Sequence, residues 1–428
     1  MADRFSRREF LGAAAGASLY VSSATAKDRS VEPTIVIGVM GLGRGLTLAR
    51  SFGRQPGVEV RYVCDADQNR ASNAASVVSK VVAGQNPKPI QDFRRILDDP
   101  DVDLLVCAAP DHWHGPATIL ACAAGKHVYV EKPCCHNARE GELMIQAARK
   151  YKRCVQMGTQ RRSSPGTMEA MKRLREGVIG RVYLARCWYH SARGSIGQGQ
   201  PAPVPPHLNY DLWQGPAPRV PYYDNRIHYN WHWFWHWGTG ELGNNGVHSI
   251  DVCRWGLGVD YPTRVTSSGG RYRYDDDQET PDTHTVAFEF PNECAITWQG
   301  LSCNRHSGGG KFVMFHGEDG AMEVDGGGTY RIYDARDKLV EEKKSRDTGE
   351  IAHIQNLLTA IRTGRPQELN QEIEEGHKST LLCHLGNIAH RTGRTLNCNP
   401  RTGRILHDEE AMSKYWSRQY EPGWEPRV

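Results

Sequence analysis

A short apolar strand that runs straight into three closely spaced glycines constrains this 428-residue chain more than any other feature. Residues 34–40 are apolar and β-rich, the pattern of a buried strand. Gly41-Leu42-Gly43-Arg44-Gly45 follows, then a helical stretch at 46–50. Glycines placed this way permit a tight turn and let backbone N–H groups approach a pyrophosphate at a helix N-terminus. The spacing departs from a strict G-x-G-x-x-G, because Leu46 stands where a small residue is needed and Gly45 comes one position early. The next element adds weight. Residues 58–64 read as a second strand ending in Asp65, roughly 20 residues beyond the glycines. A carboxylate there holds the ribose hydroxyls of an adenosine and repels a 2′-phosphate, so NAD is expected over NADP unless Arg70 turns back to the site. Capping of the next helix is an alternative role for Asp65.

A further strand at 102–110 leads into Asp111-His112-Trp113-His114 and a helix at 116–124. Another, at 126–130, leads into Glu131-Lys132-Pro133. Strands alternating with helices predict an α/β fold with a parallel, doubly wound Rossmann sheet. Ligands sit beyond the carboxyl ends of such strands, where Asp65, residues 110–114 and residues 131–133 all fall.

Val-Tyr-Val-Glu131-Lys132-Pro133, preceded by Ala109-Pro110-Asp-His-Trp-His114, resembles the glucose–fructose oxidoreductase / inositol dehydrogenase / MocA (Gfo/Idh/MocA) family. Later landmarks are Gly243-Asn244-Asn245-Gly246-Val247-His248-Ser-Ile-Asp251 and Glu374-Glu-Gly-His377-Lys-Ser-Thr380. The resemblance implies an NAD-binding Rossmann domain, placed at 33–155. It also implies a C-terminal substrate-binding α/β domain at 156–428, whose open, largely antiparallel sheet covers the nicotinamide and often mediates homo-oligomers. Strand-like stretches recur at 181–189, 263–274, 283–290, 294–301, 311–317 and 321–324, most of them alternating polar with apolar. Residues 350–363 and 374–392 read as helices packing back. Residues 195–221, rich in Gly and Pro, read as a long irregular loop of the kind used for binding or as an interface arm.

The segment from His228 to Trp237 is dense in aromatic rings. Flat rings stack on the C–H faces of sugars, while His and Asn bind hydroxyls. Core or interface packing uses the same residues, so most rings are assigned to packing and one or two to substrate. Tyr229, Trp231, His232 and Asn244 are the substrate candidates. His228, His232 and His236 would align on a helix, but no H-E-x-x-H or carboxylate set accompanies them and no metal is expected.

Taking hydride from a carbinol carbon requires a base for the hydroxyl proton and a group that stabilises the developing alkoxide; Lys132 and His248 are the candidates. The resemblance implies an acidic residue four positions before the histidine, orienting its ring. Asn244 stands there, which shifts weight to Lys132. Cofactor contacts are expected from Gly41, Leu42, Gly43, Arg44, Gly45, Asp65, Pro110, His114, Glu131, Lys132 and, near the nicotinamide, Gln160.

Before all this, Arg7-Arg8 and an apolar run to Val21, closed by Ala24-Thr25-Ala26, read as a twin-arginine signal peptide over residues 1–26. It implies passage through the Tat machinery to the periplasm and no membrane span in the mature chain. The 12 cysteines contain no C-x-x-C pair and read mostly as buried thiols. A net charge of +4, without a basic block, excludes a nucleic-acid footprint. The function implied is an NAD(P)-dependent oxidoreductase acting on a sugar, glycoside or cyclitol hydroxyl, with a tightly bound, recycled cofactor. Redox-neutral glycoside hydrolysis is the alternative; it needs a further base, for which Tyr189, Tyr229 and His232 are open. It stands second because the histidine-rich motif of the family's hydrolase branch is absent. A non-catalytic sugar-binding relative stands third, against which the pairing of Lys132 with His248 argues.

Overall fold

The computed structural model describes residues 34–306 and 312–428. The predicted leader at 1–26 lies outside the described residues. The first sheet has six parallel strands, β1 (Ile35–Met40), β2 (Val58–Cys64), β3 (Lys88–Ile90), β4 (Leu104–Cys107), β5 (His127–Val130) and β6 (Val155–Met157), in the order β3-β2-β1-β4-β5-β6. Chain order reverses between β1 and β4, so the crevice at their carboxyl ends is a switch point of the doubly wound kind. All six residues of β1 are buried, as expected where helices cover both faces. The sheet closes at Met157, two residues beyond the expected boundary at 155.

The second sheet is mixed and mostly antiparallel. Its central strands are β7 (Val182–Ala192), β8 (Arg264–Gly270), β9 (Thr283–Phe290) and β10 (Cys294–Leu301); β7 and β10 run parallel to one another. Burial along β9 alternates and the strand matches its predicted bounds, as does β10. The expected strand at 263–274 ends at Gly270, because Arg271 turns away to meet Asp282 and Asp276. The helix Glu350–Thr363 does pack back, placing Ile354, Leu357 and Leu358 against Ile37, Leu48 and Phe52 of the first half.

One buried ion pair joins the halves. Arg162 follows β6 and donates through Nε and Nη2 to both oxygens of Asp251, at 3.0 and 2.9 Å. Asp251 sits on the helix Val247–Leu257, fully buried, and also accepts from Gln371 and from Ser379 at 2.6 Å. Burial opposes its charge, yet Arg162 and these donors hold its carboxyl below the ordinary range. Asp251→Ala should cost about 3–5 kcal/mol by leaving Arg162 buried and unpaired. The wild-type contribution is present above the unfolded carboxylate pKa and is lost as pH falls through the lower folded value. Denaturant titrations at pH 7 and pH 3 should show a gap between the proteins that narrows in acid.

Candidate active site

The glycine turn is shaped by close approach. Gly41 has φ +84°, and a Cβ there would lie 2.4 Å from the backbone nitrogen of Ala109, at the end of β4. The helix Arg44–Gly53 begins at once, with no side-chain cap and no acid in its first turn. Its free N–H groups therefore remain available to an anion. Gly45 does not reach the cavity, contrary to expectation. It lies on the inner face of the helix, where a Cβ would meet Val39 at 3.1 Å and Ala108 at 3.5 Å, so its role is close helix–strand packing. Arg44 lines the cavity but ties its side chain to Glu131 and Glu350, leaving only its backbone for a phosphate.

Asp65 is not the helix cap. Asp67 takes that role, its Oδ1 accepting from the amides of Asn69 and Arg70. Asp65 accepts instead from Leu42 N in the glycine turn at 2.8 Å, and Arg70 Nε turns back to it at 3.2 Å. The arginine that would soften discrimination against a 2′-phosphate is thus present at the carboxylate. The helix after β4 starts at Asp111, five residues before the expected 116, so residues 111–114 occupy its first turn. His114 is held at both ring nitrogens, by Pro133 O at 2.6 Å and Ala109 O at 2.7 Å.

A cavity of about 420 Å³ runs from this turn to the aromatic segment. That is within the usual range for cofactor sites, roughly 300–1,000 Å³. Apart from Gly45, every residue expected to contact cofactor or substrate lines it: Pro110, His114, Glu131, Lys132, Gln160, Asn244 and His248 join the glycine turn, as do Tyr229, Trp231 and His232. Unpredicted residues line it too, among them Asp111, Leu212, Trp213 and His228.

Lys132 makes no ion pair with Glu131. Its Nζ donates to the backbone oxygen of Asn244 at 2.7 Å and to Oδ1 of the same residue at 3.0 Å. Burial lowers its pKa, with Glu131 and Asp111 opposing. Asn244 therefore orients Lys132, not His248 as expected, because its side chain is already committed to the amine. His248 follows a π-turn at Leu242–Gly246; its Nδ1 is buried without a hydrogen-bond partner among the described residues. Burial, then the charges of Arg161 and Lys132, pushes its pKa well down, so the ring is neutral. The three spaced histidines diverge. His228 faces Asp67 at 3.0 Å, His232 Nδ1 donates to Tyr229 O at 2.6 Å, and His236 Nε2 donates to Pro218 O at 2.8 Å. His232 stacks on Trp231, with ring centroids 3.6 Å apart, and burial lowers its pKa to about 3. Trp233 and Trp237 are core. Tyr189 lies off the cavity lining, its hydroxyl accepting from Arg193 at 3.2 Å.

These features fit a dinucleotide: an uncapped helix start behind a glycine turn, a carboxylate at the end of β2 and, lining the same cavity, an imidazole with one unpartnered nitrogen. Residues 34–159 match the oxidoreductase family's NAD-binding Rossmann fold, and residues 187–419 match its C-terminal alpha/beta domain. The chain belongs to the Gfo/Idh/MocA oxidoreductase family. It is 30% identical over 218 residues to a glycosyl hydrolase family 109 protein of Saccharopolyspora erythraea, covering 44% of this chain and 47% of that one. It is 28% identical over 194 residues to levoglucosan dehydrogenase of Pseudarthrobacter phenanthrenivorans, covering 42% and 43%. Each match spans less than half of the relative's length. Among solved structures, aldose–aldose oxidoreductase of Caulobacter crescentus superposes with a TM-score of 0.66 at 21% identity, over 85% of this chain and 99% of that one. Levoglucosan dehydrogenase in complex with NADH and levoglucosan gives 0.65 at 18%, with the same coverage. At these identities the likeness is one of fold.

Asp111 is the acid that sequence reasoning passed over. Burial raises its pKa to about 7, against a 2.7 Å hydrogen bond from Thr239 Oγ1 and the nearby charge of Lys132. A folded pKa above the unfolded value means that stability declines as pH rises from about 4 to about 7. Asp111→Asn should remove that decline, on the order of a few kcal/mol. Melting temperatures of nucleotide-free wild type and variant across pH 5–8 should diverge, with the variant the more stable at pH 8.

Proposed function

We propose that this protein is an NAD-dependent oxidoreductase acting on a hydroxyl of a sugar, glycoside or cyclitol, with its nucleotide recycled in place. One observation supports it above the others. Lys132, whose amine forms no ion pair among the described residues, and His248, whose Nδ1 has no hydrogen-bond partner among them, line the same cavity as the glycine turn and Asp65. A bound nicotinamide supplies the hydride acceptor. The chain's own groups handle the proton. In its neutral form Lys132 has two N–H bonds, and Asn244 offers two oxygens to receive them. The nitrogen lone pair is then left for the substrate hydroxyl, whose proton it takes as hydride leaves the same carbon. Neutral His248 donates to the developing alkoxide. Tyr229, Trp231 and His232 form the wall for the sugar ring.

The nucleotide is proposed to be NAD, with Asp65 on the ribose. Because Arg70 is paired to Asp65, its charge is already answered. Asp65→Ala should weaken NAD more than NADP; equal losses in calorimetric titration would remove Asp65 from the adenosine site. A second reading, redox-neutral glycoside cleavage, draws on the likeness to a glycosyl hydrolase family 109 protein. Free aglycone released without accumulation of reduced nicotinamide would favour it. A twin-arginine route to the periplasm is proposed from Arg7-Arg8. Twelve free thiols, eleven buried and Cys303 partly so, suit folding before export.

Lys132→Met should lower turnover by roughly 10²–10⁴-fold while nucleotide binding persists. Near-normal turnover would move the proton chemistry elsewhere, and a chain that binds sugar without any turnover would be the non-catalytic relative. Asn244→Asp places a carboxylate against the amine, not the imidazole. It should raise the lysine pKa by roughly 1–3 units. The limb of the pH–rate profile that reports deprotonation of the base should move to higher pH by that amount.

A further inference from the structure

The long loop expected at 195–221 is not wholly irregular. It carries a short helix, Tyr210–Gln214, and it crosses the crevice to dock on the Rossmann half. Gln68 N donates to His207 O at 2.9 Å, and Asn209 N donates to Ala66 O at 2.9 Å. Asp67 and Leu208 thus form a short antiparallel bridge just past the end of β2. A second attachment lies at Trp213, whose carbonyl accepts from His112 Nε2 at 3.0 Å and Trp113 Nε1 at 3.1 Å. Leu212 and Trp213 line the cavity together with Gln91 and Phe93. In a doubly wound sheet this region, beyond β2 and β3, receives the adenosine half of a dinucleotide.

The buried carboxylate of Asp67 locks the crossing. Its Oδ2 faces His228 Nε2 at 3.0 Å and His207 Nε2 at 3.5 Å. His207 lies within the loop and His228 follows it, so one carboxylate gathers both onto the Rossmann half. Leu212, Trp213 and His228 line the same cavity as the glycine turn and Phe93.

We propose that residues 207–213, clasped through Asp67 to His207 and His228, are a strap that retains the dinucleotide as a resident cofactor. This rests on the reading that the cavity takes a dinucleotide. Its consequence is that hydride removed from one substrate is returned within the same cavity, to a second carbonyl compound or to the same sugar, because free NAD does not exchange in each cycle.

The test is nucleotide release, independent of turnover. The full chain is loaded with NADH, passed through gel filtration and mixed with excess NAD while the fluorescence of bound NADH is followed. Wild type should retain close to one nucleotide per chain and release it over minutes or longer. The double variant His207→Gln/His228→Gln, and separately Asp67→Asn, which keeps a helix-capping oxygen, should release it at least tenfold faster with unchanged melting temperature. Wild-type release within seconds would overturn the strap without any variant being needed, as would variant rates within twofold of wild type. If wild type fails to bind NADH or NAD at all, the dinucleotide reading itself falls and takes the strap with it.

Discussion

The bidentate bond between Arg162 and Asp251 sets the geometry on which the candidate site depends. Arg162 follows the last strand of the first sheet, and Asp251 lies one turn beyond His248 on the helix Val247–Leu257. Lys132 emerges from β5 on the other side of the crevice. The amine is held directly by Asn244, four residues before His248, and the buried ion pair fixes the helix that carries the imidazole. Gln371 and Ser379 fill the remaining acceptor positions of Asp251, so the final long helix is tied to the same point. Buried charges are tolerable when they are paired and hydrogen-bonded, as Arg162 and Asp251 are here.

A second constraint is clearance. The glycine turn passes so close to the end of β4 that any side chain at Gly41 would collide with backbone. The same crowding aligns Leu42 N with Asp65 and leaves the next amides facing the crevice. The uncapped helix start and the carboxylate proposed for the ribose thus belong to one tight turn.

Much of this was legible in the chain. The short, uniformly apolar β1 and the alternating β9 and β10 were readable from their hydrophobic patterns, and the E-K-P and glycine motifs marked the cavity. What escaped did so for physical reasons. β3 and β6 are three residues each, too short to show a period. Asp67 was overshadowed by Asp65, two residues earlier, because composition does not tell which of two carboxylates meets a helix start. The pairing of Asn244 with Lys132 joins residues more than a hundred positions apart, and spacing along one helix suggested His248 instead. Leu212, Trp213 and His228 come to the cavity through a Gly/Pro-rich stretch whose path is set by tertiary contacts rather than local preference.

The two oxygens of Asp67 divide their labour. One terminates the helix Gln68–Val81, and the other meets the imidazoles. Because the tasks fall on separate atoms, releasing the histidines leaves the helix end intact. Opening the crossing segment is then a local event, with no unravelling of the Rossmann half beneath it. The support proposed for a nucleotide and the strap over it thus meet at one side chain and two backbone hydrogen bonds.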